Sequence, residues 1–144
     1  MNVLTIVIIG FLILEAVNVI TLYFFPGSKL ANGVGVFKAW EVSKQYPEIH
    51  DFVRYLVNWV AGVKLIFIFL LIVILYFGDQ NTLLFSAVAL FASTLSFYWR
   101  LFPLIRKMDR ESQIEPRNYS TELAFMILGF IIVFFVAVHI SVLS

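Results

Sequence analysis

The chain has 144 residues, 62% of them hydrophobic and 13% charged, with no cysteine and a formal net charge of +1. Soluble domains average about 45–50% apolar and about 25% charged residues, so this composition points to an integral membrane protein with no separate soluble catalytic domain. Lack of cysteine excludes disulfide exchange, thiolate nucleophiles and thiolate-bound metals, and the near-neutral balance gives no reason to expect nucleic-acid binding.

The first apolar stretch, residues 3–25, lacks a basic n-region and a small-x-small cleavage pattern and exceeds a signal-peptide core, so it is expected to be a retained helix. Pro26-Gly27 stops it. At about 1.5 Å per residue it crosses a hydrocarbon core of about 30 Å once. In the connection that follows, residues 26–52, Val36, Phe37 and Trp40 recur at helical spacing with Lys38, Glu41 and Lys44 elsewhere on the wheel. That pattern fits a short helix lying among lipid headgroups, and equally a solvated connection whose aromatics pack on the helix ends.

A second helix should begin near Pro47, with Glu48 and Asp51 at the positive end of its dipole, span residues 53–77 and end at Gly78. The turn Gly78-Asp79-Gln80-Asn81 is too short for anything but a reversal, so the third span, residues 82–102, lies antiparallel to the second. Pro103 is expected to end or kink it. A polar connection, residues 103–120, follows, and Ser120 should cap a fourth span over residues 121–143. The sequence therefore predicts an all-α, polytopic membrane protein: one domain, residues 1–144, folded as an antiparallel bundle of four transmembrane helices.

The ten basic residues are unevenly placed. Lys29, Lys38, Lys44 and Arg54 lie in or beside the first connection; Arg100, Arg106, Lys107, Arg110 and Arg117 lie in or beside the third; Lys64 alone falls within a span. The positive-inside rule makes both long connections cytoplasmic and both termini extracytoplasmic, with a prokaryotic plasma membrane as the default setting.

Glu15 and Lys64 each stand ten residues from the cytoplasmic end of their span, at about 15 Å depth, where a bare charge costs roughly 2.5–3.5 kcal/mol. Matching depth predicts an ion pair between the first two helices, with Asn18 and Asn58 as supporting polar groups. The pair is expected either to be a static bridge that fixes helix register or to present a carboxylate that exchanges a proton for substrate under the influence of Lys64. On the third helix Ser86, Ala89, Ser93, Ser96 and Arg100 recur at three- and four-residue steps; the small residues are expected to form a helix-packing stripe, with a hydrophilic path as the alternative. Arg100 can snorkel to headgroups, pair with Glu122 or hold an anion. His139 is expected at the outer interface near Asn2 and Thr5. No metal or other cofactor is indicated, and P-loop, HExxH, GxSxG and paired-carboxylate spacings are absent from the sequence.

The run Ile13-Leu14-Glu15-Ala16-Val17 resembles the first helix of the small multidrug resistance transporters. The resemblance covers that helix alone and implies a membrane glutamate exchanging protons for cationic drugs. Those proteins have minimal loops and weak orientation bias and do not hold a lysine opposite the glutamate, whereas this chain has Lys64 and long first and third connections. Two functional expectations follow. The first is a non-enzymatic accessory or scaffold subunit that associates with other membrane proteins, or with itself, through helix faces and cytoplasmic loops. The second is an oligomeric, proton-coupled transporter or channel for a small solute or cation, using Glu15. A lipid-active enzyme using Arg100 and Glu122 comes third, with no spacing to support it.

Overall fold

A computed structural model describes residues 2–143, which are helical apart from short connections. Helix α1 (Val3–Phe24) starts at Asn2, whose side chain accepts the Leu4 N–H at 3.2 Å, and stops before Pro26, whose missing N–H and ring disfavour continuing it. Two short pieces follow: a 3-10 turn, Val34–Val36, and α2 (Lys38–Ser43). Helix α3 (Pro47–Phe77) opens on proline and closes at Gly78. Asp79 caps α4 (Gln80–Leu95), accepting the Thr82 hydroxyl at 2.6 Å and the Thr82 N–H at 2.8 Å, and these bonds hold its carboxyl below the ordinary carboxylate range. Helices α5 (Phe97–Arg110) and α6 (Tyr119–Leu143) complete the chain. Taking α4 and α5 together, four helical rods are long and apolar enough to cross a membrane. They alternate in direction along the chain.

The third rod differs from the expectation in where it is interrupted. The break falls at Ser96, not Pro103, because the Ser96 N–H and hydroxyl both turn back to the Ser93 carbonyl, at 3.1 and 2.6 Å, tightening that turn. Helix α5 then runs through Pro103 to Arg110, which shortens the third connection to residues 111–118. Ser120 also differs: it lies inside the first turn of α6 and is itself held by Asp109. Its hydroxyl and N–H donate to Asp109 Oδ2 at 2.6 and 3.0 Å, and the Asn118 N–H reaches Oδ1 at 3.2 Å. Asp109 thus caps α6 from the end of α5, and the Ser120 hydroxyl above all keeps its carboxyl below the usual range.

The core is continuous at one end of the bundle and divided at the other. Near the chain termini, Leu4, Ile8, Leu71, Leu83, Ala87, Leu90, Phe134 and Ala137 interlock in one cluster drawn from all four rods. A polar clasp closes that end: Asn2 donates to Gln80 at 2.5 Å and Gln80 to Ser141 at 3.0 Å, linking α1, α4 and α6. Toward the long connections the cluster splits. Leu22 packs with Val57 and Ala61 to join α1 to α3, while Ile105, Ile114 and Val36 form a separate nucleus under α5 and α6. The bundle is therefore a wedge with two arms, α1/α3 and α5/α6.

The first and third connections bind each other across the open end. Lys38 N–H donates to the Gln113 carbonyl at 2.9 Å and Glu115 N–H to the Val36 carbonyl at 2.8 Å, which makes an antiparallel bridge between Phe37 and Ile114. Glu115 also lies 3.5 Å from both Lys29 and Lys38. Gly35 is required here, since a Cβ would stand 2.0 Å from the Gly27 carbonyl oxygen. The short α2 sits beside this strap with Trp40 buried, its ring 4.7 Å from His50. The segment thus holds a short helix over Lys38–Ser43 and buries Val36 and Trp40.

Candidate functional site

Between the two arms lies a half-open cavity of about 1010 Å³. Its floor is aromatic: Phe11, Phe67 and Phe130 line it, and the Phe11 ring meets Phe67, Phe130 and the buried Phe134 edge-on at 6.1, 5.9 and 5.3 Å. Below these rings begins the continuous core, so the cavity stops partway through the bundle. Lys29, Arg100, Tyr119 and Glu122 stand around its mouth.

Glu15 lines the cavity, and the Lys64 ammonium donates to its Oε2 from α3. Glu15 keeps 13% of its side-chain surface exposed and faces the cavity, whereas Lys64 keeps 26% but does not line it. The contact arises because both residues occupy the same height on packed helices. Asn18 also lines the cavity, one turn from Glu15, but no hydrogen bond joins it to the pair. Asn58 is exposed on α3 and takes no part, which corrects its expected supporting role.

The stripe on the third rod is displaced from its expected use. The packed face of α4 consists of Leu83, Ala87 and Leu90; Ser86 is half-buried, Ala89 is exposed, and Ser93 and Ser96 line the cavity. Successive helical residues differ by about 100°, so the step from Ser86 to Ala87 separates the cavity-facing register from the contact face. Small residues matter at one position of the contact, Ala87, and leucines supply the rest.

At the mouth, Arg100 stacks over Trp99 at 5.4 Å and forms no ion pair with Glu122. His139 stacks on Phe135 at 6.2 Å with the rings nearly parallel, and it is Gln80 that engages Asn2. His50 sits in the first turn of α3, its Nδ1 2.9 Å from the Ser43 hydroxyl, which donates to the Trp40 carbonyl at 2.7 Å, outside the cavity. Among the described residues no cluster of His, Asp and Glu could hold a metal ion. Sequence reasoning missed the aromatic floor, because Phe11, Phe67 and Phe130 come from three separate spans with no shared pattern. It also missed Lys29, carried to the mouth by a turn in which Ala31 and Asn32 take positive φ of 49° and 59°.

Comparison with protein families, curated proteins and solved structures finds no match to this chain. The arrangement itself defines an apolar sleeve with an ion pair at depth and separate charges at its rim. Such a site suits binding an apolar body with a polar group at one end.

Proposed function

We propose that this protein is an integral membrane carrier that loads a small amphiphilic solute from the side of its long connections, with Glu15 as the group at the deep end of the path. Lipid surroundings are supported by the outer surfaces of the rods. In each of the four apolar windows only 17% of the residues are buried, leaving side chains such as Phe69, Phe85 and Phe125 bare in the isolated chain. The basic residues flanking the open end orient it toward the cytoplasm by the positive-inside rule and put the clasped end, with both termini, outside.

One observation carries the carrier reading: the cavity reaches Glu15 and then stops at an aromatic floor above a packed core. Access from one side to an ionisable group near mid-depth is what alternating access requires of one of its two states. An accessory or scaffold subunit would need apolar outer faces but no open interior, so the cavity favours the carrier. In this scheme Lys64 neutralises Glu15 while the site is empty, and a proton takes its place during the transport cycle. Opening toward the other side would part the core around Leu4, Phe134 and Leu83.

The test is uptake of a dansyl-labelled single-chain amphiphile into proteoliposomes under an imposed pH gradient. Wild type is expected to exceed protein-free vesicles and to respond to the gradient, while Glu15→Gln loses that response. Uptake equal to that of empty vesicles, or unchanged in Glu15→Gln, refutes the assignment.

A further inference from the structure

The rim carries charges that the ion pair does not explain. Arg100 and Glu122 both line the cavity, yet among the described residues neither has an oppositely charged partner within 4 Å. Their relative height is fixed by the Tyr98 hydroxyl, which donates to the Ala124 carbonyl at 2.6 Å and locks α5 to α6. Arg100 lies two residues beyond Tyr98 and Glu122 two residues before Ala124 on an antiparallel helix, so each stands about 3 Å nearer the mouth than that bond. A cation and an anion thus line the same cavity from neighbouring helices without meeting. Lys29 adds a second cation, held among the described residues by an exposed contact of 3.5 Å to Glu115, the kind of pair that exchanges partners at little cost. Below this rim the wall is mostly apolar down to Phe11, Phe67 and Phe130, interrupted by Glu15, Asn18, Ser93, Thr94 and Ser96.

We infer that the cavity's ligand is a zwitterionic amphiphile of the aminoalkyl-phosphate class, its phosphate on Arg100 and Lys29, its ammonium on Glu122 and its acyl chain in the aromatic sleeve. A purely anionic head would satisfy the two cations but face the Glu122 carboxylate, and a purely cationic one would face Arg100. A head with both charges pairs with each: the guanidinium binds phosphate by charge-assisted hydrogen bonds, and the carboxylate attracts the ammonium by charge, whether or not its nitrogen carries a proton. An acyl chain matches the Phe-lined depth, where only carbon is offered for contact over most of the wall. This assignment rests on the carrier reading for its biological sense, but binding at the rim is separable from transport and from Glu15.

The experiment is native mass spectrometry of the full chain in detergent, mixed with equal amounts of lysophosphatidylethanolamine, lysophosphatidylcholine and lysophosphatidylglycerol of one chain length. The two zwitterionic probes are expected to be retained over the anionic one. Arg100→Gln should lower retention of all three about tenfold, and Glu122→Gln should abolish the zwitterion preference while anionic binding rises. Arg100→Lys, which keeps the charge, should recover most of the retention and thereby excludes misfolding as the cause. Equal retention of the three heads by wild type, or retention unchanged in Arg100→Gln, overturns the inference. Retention with this selectivity but no amphiphile uptake would leave the rim assignment standing and remove the carrier reading; uptake without head selectivity would do the reverse.

Discussion

Substituting Lys64→Met, Glu15→Gln and both together separates the energetics of the deep pair. Removing one member strands the other in surroundings where Glu15 keeps 13% and Lys64 keeps 26% of its side-chain surface, and a stranded buried charge costs about 3–5 kcal/mol. Water in the cavity reaches Glu15, so the lower end of that range, about 3 kcal/mol, is expected for Lys64→Met. Glu15→Gln strands an ammonium whose side chain keeps twice the exposed fraction of Glu15, so its cost should likewise lie at the lower end, about 3 kcal/mol. The double substitution replaces two charges by neutral groups of similar volume and should cost under about 2 kcal/mol, since such replacements are often neutral. The singles then sum to about 6 kcal/mol, and the coupling is about 4 kcal/mol or more. The assay is reversible unfolding in mixed micelles, followed by the fluorescence of Trp40, Trp59 and Trp99. Additivity of the three variants to within about 0.5 kcal/mol would show that the two groups do not interact and would refute the reasoning.

Exchanging the two charges, Glu15→Lys with Lys64→Glu, should recover most of the stability lost in either single change, measured in the same unfolding experiment. Cysteine placed at Ser93 or Ser96 in this cysteine-free chain should react with a polar maleimide added from the side of the long connections, whereas Ser86→Cys, outside the cavity, should react at least about tenfold more slowly. Gly35→Ala forces a Cβ against the Gly27 carbonyl and should cost about 2 kcal/mol or more, read as faster proteolysis of the connection at residues 26–37. Asp109 is held below its ordinary pKa, so its contribution is complete above the unfolded value near about 4 and is lost as pH falls through the lower folded value. Asp109→Asn should therefore cost about 1 kcal/mol at pH 7 and flatten that acid limb of the stability profile; an unchanged limb would show that the Ser120 bonds do not bias its protonation.

Height was legible in the sequence and azimuth was not. A helix rises by a constant amount per residue, so counting ten residues from each span end sufficed to bring Glu15 level with Lys64. Which way a side chain points depends on the neighbour chosen by packing, and for the third rod Leu83, Ala87 and Leu90 outcompeted the serine stripe because they fill the space between α1 and α6. The break at Ser96 was hidden for a related reason. Proline announces its effect through a missing donor, whereas a serine bends a helix only if its hydroxyl turns back to the backbone, as it does to Ser93. The ends of the rods were readable to within a few residues except at the end of the third, where α5 runs on through Pro103 to Arg110 rather than stopping near residue 102; the start of α6 was close in position, but its cap, Asp109, is supplied from eleven positions upstream. Division of the core into two arms had no counterpart in the apolar pattern, because outward-facing and cavity-facing leucines and phenylalanines look alike.

The strap between Val36 and Glu115 also sets an order of events during synthesis. Its two halves are separated by most of the polypeptide, so the first two rods leave the ribosome long before their tether exists. Until Ile114 arrives, Phe37 and the backbone around it lack their partner strand, and the nascent N-terminal hairpin is free to swing or to meet a chaperone or a second nascent copy. Completion of residue 115 is the earliest moment at which the molecule can latch shut, and truncations before that point should be recognised by cellular quality control as unfinished.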